Sequence, residues 1–236
     1  MFQSRELARL IDHSLLHPAL TDAEMLAGCA VAHQYGCATV CVKPYAVPLV
    51  KKTLKASPVG ICSVVGFPHG NSITMLKLRE TQEALLAGAT EIDMVINIGK
   101  AAAGVYDYVK EEVRAIHKAC QRHNAPLKVI FENAYLKDEQ IVELCKVMSD
   151  LNVEYVKTST GFAYLKQDDG SYACHGATEH DVKLMRRHCA PHIKIKAAGG
   201  IRTLADVLKF RGLGCARIGT SSTEQIMADA AAPDQC

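Results

Sequence analysis

The sequence predicts an α/β protein, a single (β/α)8 barrel of the TIM type preceded by a short N-terminal helix. Three observations carry this. Apolar, β-branched runs alternate with helical segments about eight times, so consecutive strands are separated by helices and must lie parallel. At 236 residues, 49% of them hydrophobic, the chain can bury one large core and has the ordinary size of such a barrel. Polar residues collect where strands end, which is where barrels of this kind carry their sites. An open doubly wound sheet is the alternative arrangement of the same elements. No linker or change of composition divides residues 1–236, so one domain is expected.

Residues 5–11 read as a short helix, and Asp12-His13-Ser14-Leu15-Leu16 as a brief strand with an acid among apolar residues. Thr21-Asp22-Ala23-Glu24 has the capping-box form that opens a helix, expected to reach Tyr35 and stop at Gly36. Ala38 to Val42 is a β-branched buried strand ended by Lys43-Pro44, and a short helix follows. After the strand Val59 to Val65, the loop Gly66-Phe67-Pro68-His69-Gly70-Asn71 is rich in residues that set backbone direction. A helix from Ser72 to Leu86 is closed by Gly88. Glu91 to Ile96 is a strand with Asp93 inside an apolar run, and that acid needs a partner. Tyr106 to Arg122 has helical period, with Val109, Val113, Ile116 and Ala119 or Cys120 on one face. Leu127 to Glu132 is a strand ending in a carboxylate, and Asp138 to Ser149 a helix.

Tyr155-Val156-Lys157 is a short strand that delivers a lysine into Thr158-Ser159-Thr160-Gly161. Ala163 to His175 is polar and rich in Gly, Asp and Tyr, a surface excursion with the character of a lid. Glu179 to His188 is a helix, and Ile193 to Lys196 a strand running towards Gly199-Gly200. Arg202 to Phe210 is helical, Ala216-Arg217-Ile218 is the last strand, and Gly219-Thr220-Ser221-Ser222 opens the final helix.

A net charge of +2, with 22% charged residues scattered rather than clustered, offers no field for nucleic acid and points to a small-molecule partner. Ten cysteines occur without C-x-x-C spacing, in apolar runs such as those around Cys29, Cys41 and Cys145, which fits reduced, buried thiols. Cys120 with His123, and His180 with His188, lack the partner pair a metal site requires, so no metal is expected. No phosphate-loop or dinucleotide fingerprint follows a strand, and no cofactor is expected. No apolar run is long enough to cross a bilayer and the first residues lack a signal-peptide core, so no membrane association and a cytoplasmic location are expected. Barrels of this size often pair; a homodimer is the assembly considered, although the sequence marks no apolar stripe for it.

Four polar residues stand at strand ends: Asp93, Glu132, Lys157 and Lys196. A lone lysine there is ordinarily a solvated charge. Lys157 and Lys196, however, end consecutive barrel strands roughly 5 Å apart. Like charge and partial burial lower a lysine pKa, and a neutral amine adds to an aldehyde or ketone to form a Schiff base, which permits carbon–carbon bond cleavage or formation. Asp93 is then either a proton shuttle or a salt-bridge partner that only holds the barrel. Gly199-Gly200 and Gly219-Thr220-Ser221-Ser222 follow the last two barrel strands, where loop N–H groups and a helix N-terminus often bind phosphate.

Six segments resemble the deoxyribose-phosphate aldolase family: Ile11-Asp12-His13-Ser14-Leu15-Leu16, Val65-Gly66-Phe67-Pro68-His69-Gly70, Glu91 to Asn97, Val156-Lys157-Thr158-Ser159-Thr160-Gly161, Lys196 to Arg202, and Arg217-Ile218-Gly219-Thr220-Ser221. The resemblance spans nearly the whole chain. It implies a class I aldolase that reversibly cleaves 2-deoxy-D-ribose 5-phosphate to D-glyceraldehyde 3-phosphate and acetaldehyde. By motif position it implies Lys157 as the Schiff-base lysine, Lys196 as the neighbour that lowers its pKa, and Asp93 as the proton-relay acid. It further implies that Asp12, Cys41 and Phe67 lie around the sugar, and that Thr160, Gly161, Gly199, Gly200, Gly219, Ser221 and Ser222 hold it and its phosphate. The residues alone do not say which lysine is the nucleophile.

The chain departs from the family at three places. Asn133-Ala134 replaces the usual Thr-Cys or Thr-Gly, and Phe162 to Gly176 is longer and more polar than the brief turn usual there. The chain ends Asp234-Gln235-Cys236, without the C-terminal tyrosine of some members. The alternatives are a Schiff-base aldolase of different aldehyde specificity and a non-catalytic phosphosugar-binding barrel. The second should lack a lysine or Asp93, and all three are present.

Overall fold

The computed structural model describes residues 4–232, so the leading Met1-Phe2-Gln3 and the tyrosine-free end Asp234-Gln235-Cys236 lie outside the described residues. After the short helix α1 (Ser4–Ala8), strand–helix units follow in order. They are β1 (Ile11–Leu15) with α2 (Asp22–Tyr35), β2 (Thr39–Val42) with α3 (Val47–Thr53), and β3 (Gly60–Val65) with α4 (Thr74–Ala87). Next come β4 (Glu91–Val95) with α5 (Ile98–Ala102) and α6 (Tyr106–Gln121), then β5 (Leu127–Ile130) with α7 (Asp138–Leu151). β6 (Tyr155–Lys157) leads through β7 (Ala163–Lys166) and β8 (Tyr172–His175) to α8 (Glu179–His188). β9 (Lys194–Ala198) with α9 (Leu204–Gly212) and β10 (Cys215–Thr220) with α10 (Thr223–Ala231) complete the chain. The strands β1-β10-β9-β6-β5-β4-β3-β2 form a closed barrel with every pair parallel, which excludes the open sheet.

Local chemistry places the ends of the helices. Thr21 and Glu24 close the capping box of α2, and Gly36 ends it at φ 72°, a left-handed position that glycine takes without strain. Along α6, Val109, Val113, Ile116 and Cys120 are buried, each contributing about 2 kcal/mol of apolar burial. On β4 and β5, Ile92, Met94, Leu127 and Val129 join this continuous core, whereas Asp93 and Lys128, of opposite parity, meet inside the barrel. Alternation along each strand therefore separates an apolar outer layer from a charged interior.

Several boundaries differ from expectation. The first helix stops at Ala8 because Ile11 is already paired with Ile218 in the barrel. The last strand runs through Gly219 and Thr220, so α10 begins at Thr223 rather than at the glycine. β5 ends at Ile130, which leaves Glu132 beyond the strand at φ 59°. Helix α5 was not anticipated. The polar excursion is an antiparallel hairpin, β7 with β8, outside the barrel sheet.

Candidate active site

The barrel's register brings together residues far apart in sequence. Lys157 on β6 pairs with Lys196 on β9, Asp93 on β4 pairs with Lys128 on β5, and Asp12 on β1 pairs with Gly219 on β10. The two lysines do not face each other directly. A single carboxylate oxygen, Asp93 Oδ2, lies 2.8 Å from Lys157 Nζ and 2.8 Å from Lys196 Nζ. Lys196 also donates to Asp12 Oδ2 at 2.5 Å, whereas Lys157 has Asp93 as its one ion-pair partner among the described residues.

Below this triad lies a second charged layer. Lys128 donates to Asp93 Oδ1 at 2.9 Å and Glu91 Oε2 at 2.5 Å, and Arg217 to Asp12 Oδ1 at 2.6 Å and Glu91 Oε1 at 3.2 Å. The Tyr155 ring lies 5.9 Å from Lys128 Nζ and 5.7 Å from the Arg217 guanidinium carbon. Each upper carboxylate thus has one oxygen held from below and one facing the lysines. Burial would raise the pKa of Asp93, but Lys128, Lys157 and Lys196 hold it well below the ordinary carboxylate range. Burial likewise works against the charge on Lys196, and Asp12 and Asp93 overcome it, raising that pKa above the usual lysine value. Lys196 is therefore a firmly held cation.

Above the triad opens a cavity of about 390 Å³, lined by Asp12, Cys41, Lys157, Thr160, Gly161, Lys196, Gly199, Gly200, Gly219 and Ser221. Three residues singled out from the sequence do not line it: Asp93 lies beneath the two lysines, fully buried, and Phe67 and Ser222 stand outside. Phe67 stands behind Phe162, ring centroids 5.4 Å apart and edge to face, in an apolar patch with Leu16 and Cys41. Ser222 is the N-cap position of α10, and its N–H donates to Thr220 Oγ1. Glu132 lies to the side, accepting from the Thr160 N–H and hydroxyl and so fixing the turn before Gly161. Gly161, Gly199 and Gly200 have φ of 87°, 88° and 76°, so their backbone can approach a ligand where side chains cannot.

The lower layer, Glu91, Lys128, Tyr155 and Arg217, is not among the residues expected of the site from the sequence. Its signal is a charge inside an apolar strand, as in Leu127-Lys128-Val129, the same signal that marked Asp93. Cys41, Cys62 and Asp93 present ligating atoms within 4.8 Å of one another, but ammonium groups already occupy both Asp93 oxygens.

A buried lysine pair sharing one carboxylate, with glycine-rich loops beside it, is suited to chemistry on a carbonyl compound that carries an anion. Comparison with known proteins bears on this directly. Residues 7–221 match the DeoC/LacD family aldolase profile. The chain belongs to that family. It is 44% identical over 217 residues to a deoxyribose-phosphate aldolase from Treponema denticola, covering 92% of this chain and 96% of that one. It is 43% identical over 226 residues to one from Caldicellulosiruptor saccharolyticus, covering 95% and 98%. Among solved structures, the tetrameric deoxyribose phosphate aldolase from Aeropyrum pernix superposes with TM-score 0.86 at 29% identity, covering 97% of this chain and 92% of that one. The barrel of this DeoC/LacD member superposes on that relative's, and the family match, from residue 7 to 221, takes in every barrel strand from β1 to β10.

Proposed function

We propose that this chain is an aldehyde-lyase that reversibly cleaves 2-deoxy-D-ribose 5-phosphate to D-glyceraldehyde 3-phosphate and acetaldehyde through an imine on Lys157. The observation that carries the reading is the shared oxygen, Asp93 Oδ2 at 2.8 Å from both lysines. Lys196 is tied to two carboxylates, and Lys157 to one. The less restrained amine is the better candidate for leaving its ion pair and attacking a carbonyl. The ion-paired cluster holds four cations, Lys128, Lys157, Lys196 and Arg217, against the carboxylates Asp12, Glu91 and Asp93.

The unprotonated Lys157 Nζ attacks C1 of the open-chain sugar. Proton transfers through Asp93 and loss of water give the iminium. Removal of the proton from the C3 hydroxyl then breaks the C2–C3 bond, releasing D-glyceraldehyde 3-phosphate and leaving the electron pair in an enamine on Lys157. Protonation at C2 and hydrolysis release acetaldehyde and restore the amine. Lys196 stays cationic and stabilises negative charge that develops on oxygen. The backbone of Gly161, Gly199, Gly200 and Gly219, with Ser221 before α10, supplies donors for the phosphate, and Ser222, outside the cavity, holds the turn through Thr220. Asp12, Cys41 and Thr160 border the sugar, and Phe67 acts through Phe162 as the apolar backing of the two-carbon end. This chemistry calls for no cofactor or metal.

For the assembly we infer a homodimer or a larger closed oligomer, given the relative that is a tetramer and the exposed apolar residues Ile73, Met75, Leu76 and Leu86 in and beside α4. A cytoplasmic location accords with the described cysteines being free thiols. No described helix is long and apolar enough to cross a membrane.

The test is incubation with acetaldehyde and borohydride followed by peptide mapping. A reduced adduct on Lys157 is expected. An adduct on Lys196 alone reverses the assignment, and no adduct at all returns the chain to phosphosugar binding without catalysis. Asp93→Asn is expected to lower kcat by at least about a hundredfold while the protein stays folded, read by steady-state kinetics and circular dichroism. A kcat near that of the unaltered protein rules out the relay.

A further inference from the structure

Between Gly161 and Ala177 the chain leaves the barrel and returns through the hairpin, the polar excursion that the sequence marks as longer than the family's usual brief turn. The hairpin pairs Ala163 with His175, Tyr164 with Cys174, Leu165 with Ala173 and Lys166 with Tyr172. Directly opposed residues share a face, and successive residues alternate between faces. Tyr164, Lys166, Tyr172 and Cys174 therefore lie on one side, and all four are exposed, whereas Ala163 is buried.

The base of this hairpin is fastened to the site. The Tyr164 N–H donates to the Tyr135 hydroxyl at 3.1 Å, and that hydroxyl donates to the Tyr164 carbonyl at 3.4 Å. The Cys174 thiol donates to the Gly161 carbonyl at 3.2 Å. Just after the return strand, the Ala177 N–H donates to the carbonyls of Ala198 and Gly199, and Gly176 packs so closely that a Cβ there would lie 2.2 Å from the Gly199 oxygen. The hairpin thus rests on Gly161 and Gly199, two of the glycines assigned above to the phosphate. Its second pair from the barrel, Tyr164 and Cys174, lines the same cavity as Gly200, Arg202 and Ser221. The opposite end of the cavity is the charged floor, with Leu16 and Cys41 beside it. With its backbone held by Tyr135, Tyr164 remains 54% exposed, a phenol presented to whatever enters.

We propose that the β7–β8 hairpin is a specificity element for the acceptor half of the substrate, in which Tyr164 and Cys174 form a wall against the phosphate-bearing end, the Tyr164 hydroxyl serving as donor and Cys174 holding Gly161. This rests on the aldolase reading, because only that reading divides the cavity into a two-carbon end at Lys157 and a phosphorylated acceptor end at the glycines. The hairpin supplies what a brief turn cannot: an aromatic ring to pack along the acceptor's carbons and a phenol hydroxyl to donate beside the anion. It confers preference for a phosphorylated over an unphosphorylated aldehyde and leaves the chemistry at Lys157 to the barrel.

The test runs in the condensation direction, with acetaldehyde as donor and D-glyceraldehyde 3-phosphate or D-glyceraldehyde as acceptor. The ratio of the two kcat/KM values is compared for the unaltered protein, for Tyr164→Ala/Cys174→Ala, and for a chain in which residues 164–174 are replaced by Asn-Gly. Ala163 and His175 are opposed across the hairpin, so a two-residue turn can join them. In both variants the preference for the phosphorylated acceptor is expected to fall at least about tenfold, the size of one lost hydrogen bond to a charged group. A preference within about twofold of the unaltered protein in Tyr164→Ala/Cys174→Ala overturns the proposal. Both residues are exposed, so this variant decides the matter even where the shortened chain does not fold. Borohydride trapping on the unaltered protein separates the two readings. Failure to form an adduct removes the aldolase reading itself, whereas an adduct on Lys157 with unchanged preference removes only the hairpin's role.

Discussion

Asp93 keeps its place because a lysine reaches it from the neighbouring strand. Lys128, fully buried, holds Asp93 Oδ1 at 2.9 Å and leaves Oδ2 as the oxygen that meets Lys157 and Lys196. Lys128→Met removes that anchor and leaves Glu91 without one of its two cations. We expect kcat to fall by about a hundredfold, as displacements near 1 Å at a reacting centre do, and Tm to fall as well. Steady-state kinetics and thermal melting check this, and a kcat within twofold of the unaltered protein shows that Asp93 needs no such anchor. Lys157 was legible as the last residue of its strand and Lys196 as a lysine running into Gly199-Gly200, whereas Asp93, which like Lys196 sits at the middle of its strand in the structure, was legible as an acid inside an apolar run. Lys128 carries the same signal as Asp93, but what it meets is set by the β4–β5 register, which local pattern does not give. His13 is a second residue hidden in this way. It is buried on β1 with Nδ1 2.8 Å from Thr223 Oγ1, and burial lowers its pKa to about 4 from 6.5. The unfolded chain therefore binds a proton between pH 6.5 and about 4 that the folded chain refuses, so this group removes stability as pH falls through that window, by at most about 3 kcal/mol. Glu112 and Glu132, whose pKa values burial raises, act in the opposite direction. The diagnostic quantity is thus the difference between variants: His13→Gln should lose less stability from pH 7 to pH 5 than the unaltered protein, measured by urea denaturation at each pH.

At the scale of elements, the strand–helix alternation was readable because each element carries its own period and caps, as α2 does with Thr21, Glu24 and Gly36. The hairpin was readable only as a polar excursion. Its strands lack the β-branched content that marks the barrel strands, and they form because tertiary contacts hold their ends. Tyr135, in the short 3-10 turn after β5, is the main such contact, bonded to both the N–H and the carbonyl of Tyr164. Tyr135→Phe removes both bonds, each of about 1 kcal/mol, without disturbing the core. Amide exchange over residues 164–174 should accelerate by about tenfold or more while the barrel amides and Tm barely change. Equal protection in the two proteins means that the hairpin is held from Gly161 and Gly199 alone.

At the scale of the whole molecule, every barrel strand contributes to one buried polar network. Asp12, Thr39, Cys62, Glu91 with Asp93, Lys128, Lys157, Lys196 and Arg217 come in turn from β1, β2, β3, β4, β5, β6, β9 and β10. The site and the closure of the barrel are therefore one structure. The seam is where first and last strands meet, Ile11 with Ile218 and Asp12 with Gly219, and there Arg217 binds Asp12 across 205 residues of sequence. No reading of local pattern could show this, since the seam exists only after the sheet has closed. Removing one partner from a buried ion pair costs more than the pair contributes, because the remaining charge stays desolvated. Arg217→Met strips Asp12 of its 2.6 Å partner and Glu91 of its 3.2 Å partner, so unfolding free energy should drop by about 3–5 kcal/mol in urea. Adding Glu91→Gln removes the carboxylate left most short of cations and should recover part of that loss, while Asp12 keeps Lys196 at 2.5 Å. If Arg217→Met costs less than about 1 kcal/mol, closure is supplied by strand pairing and apolar packing alone, and the charged interior serves the chemistry rather than the fold.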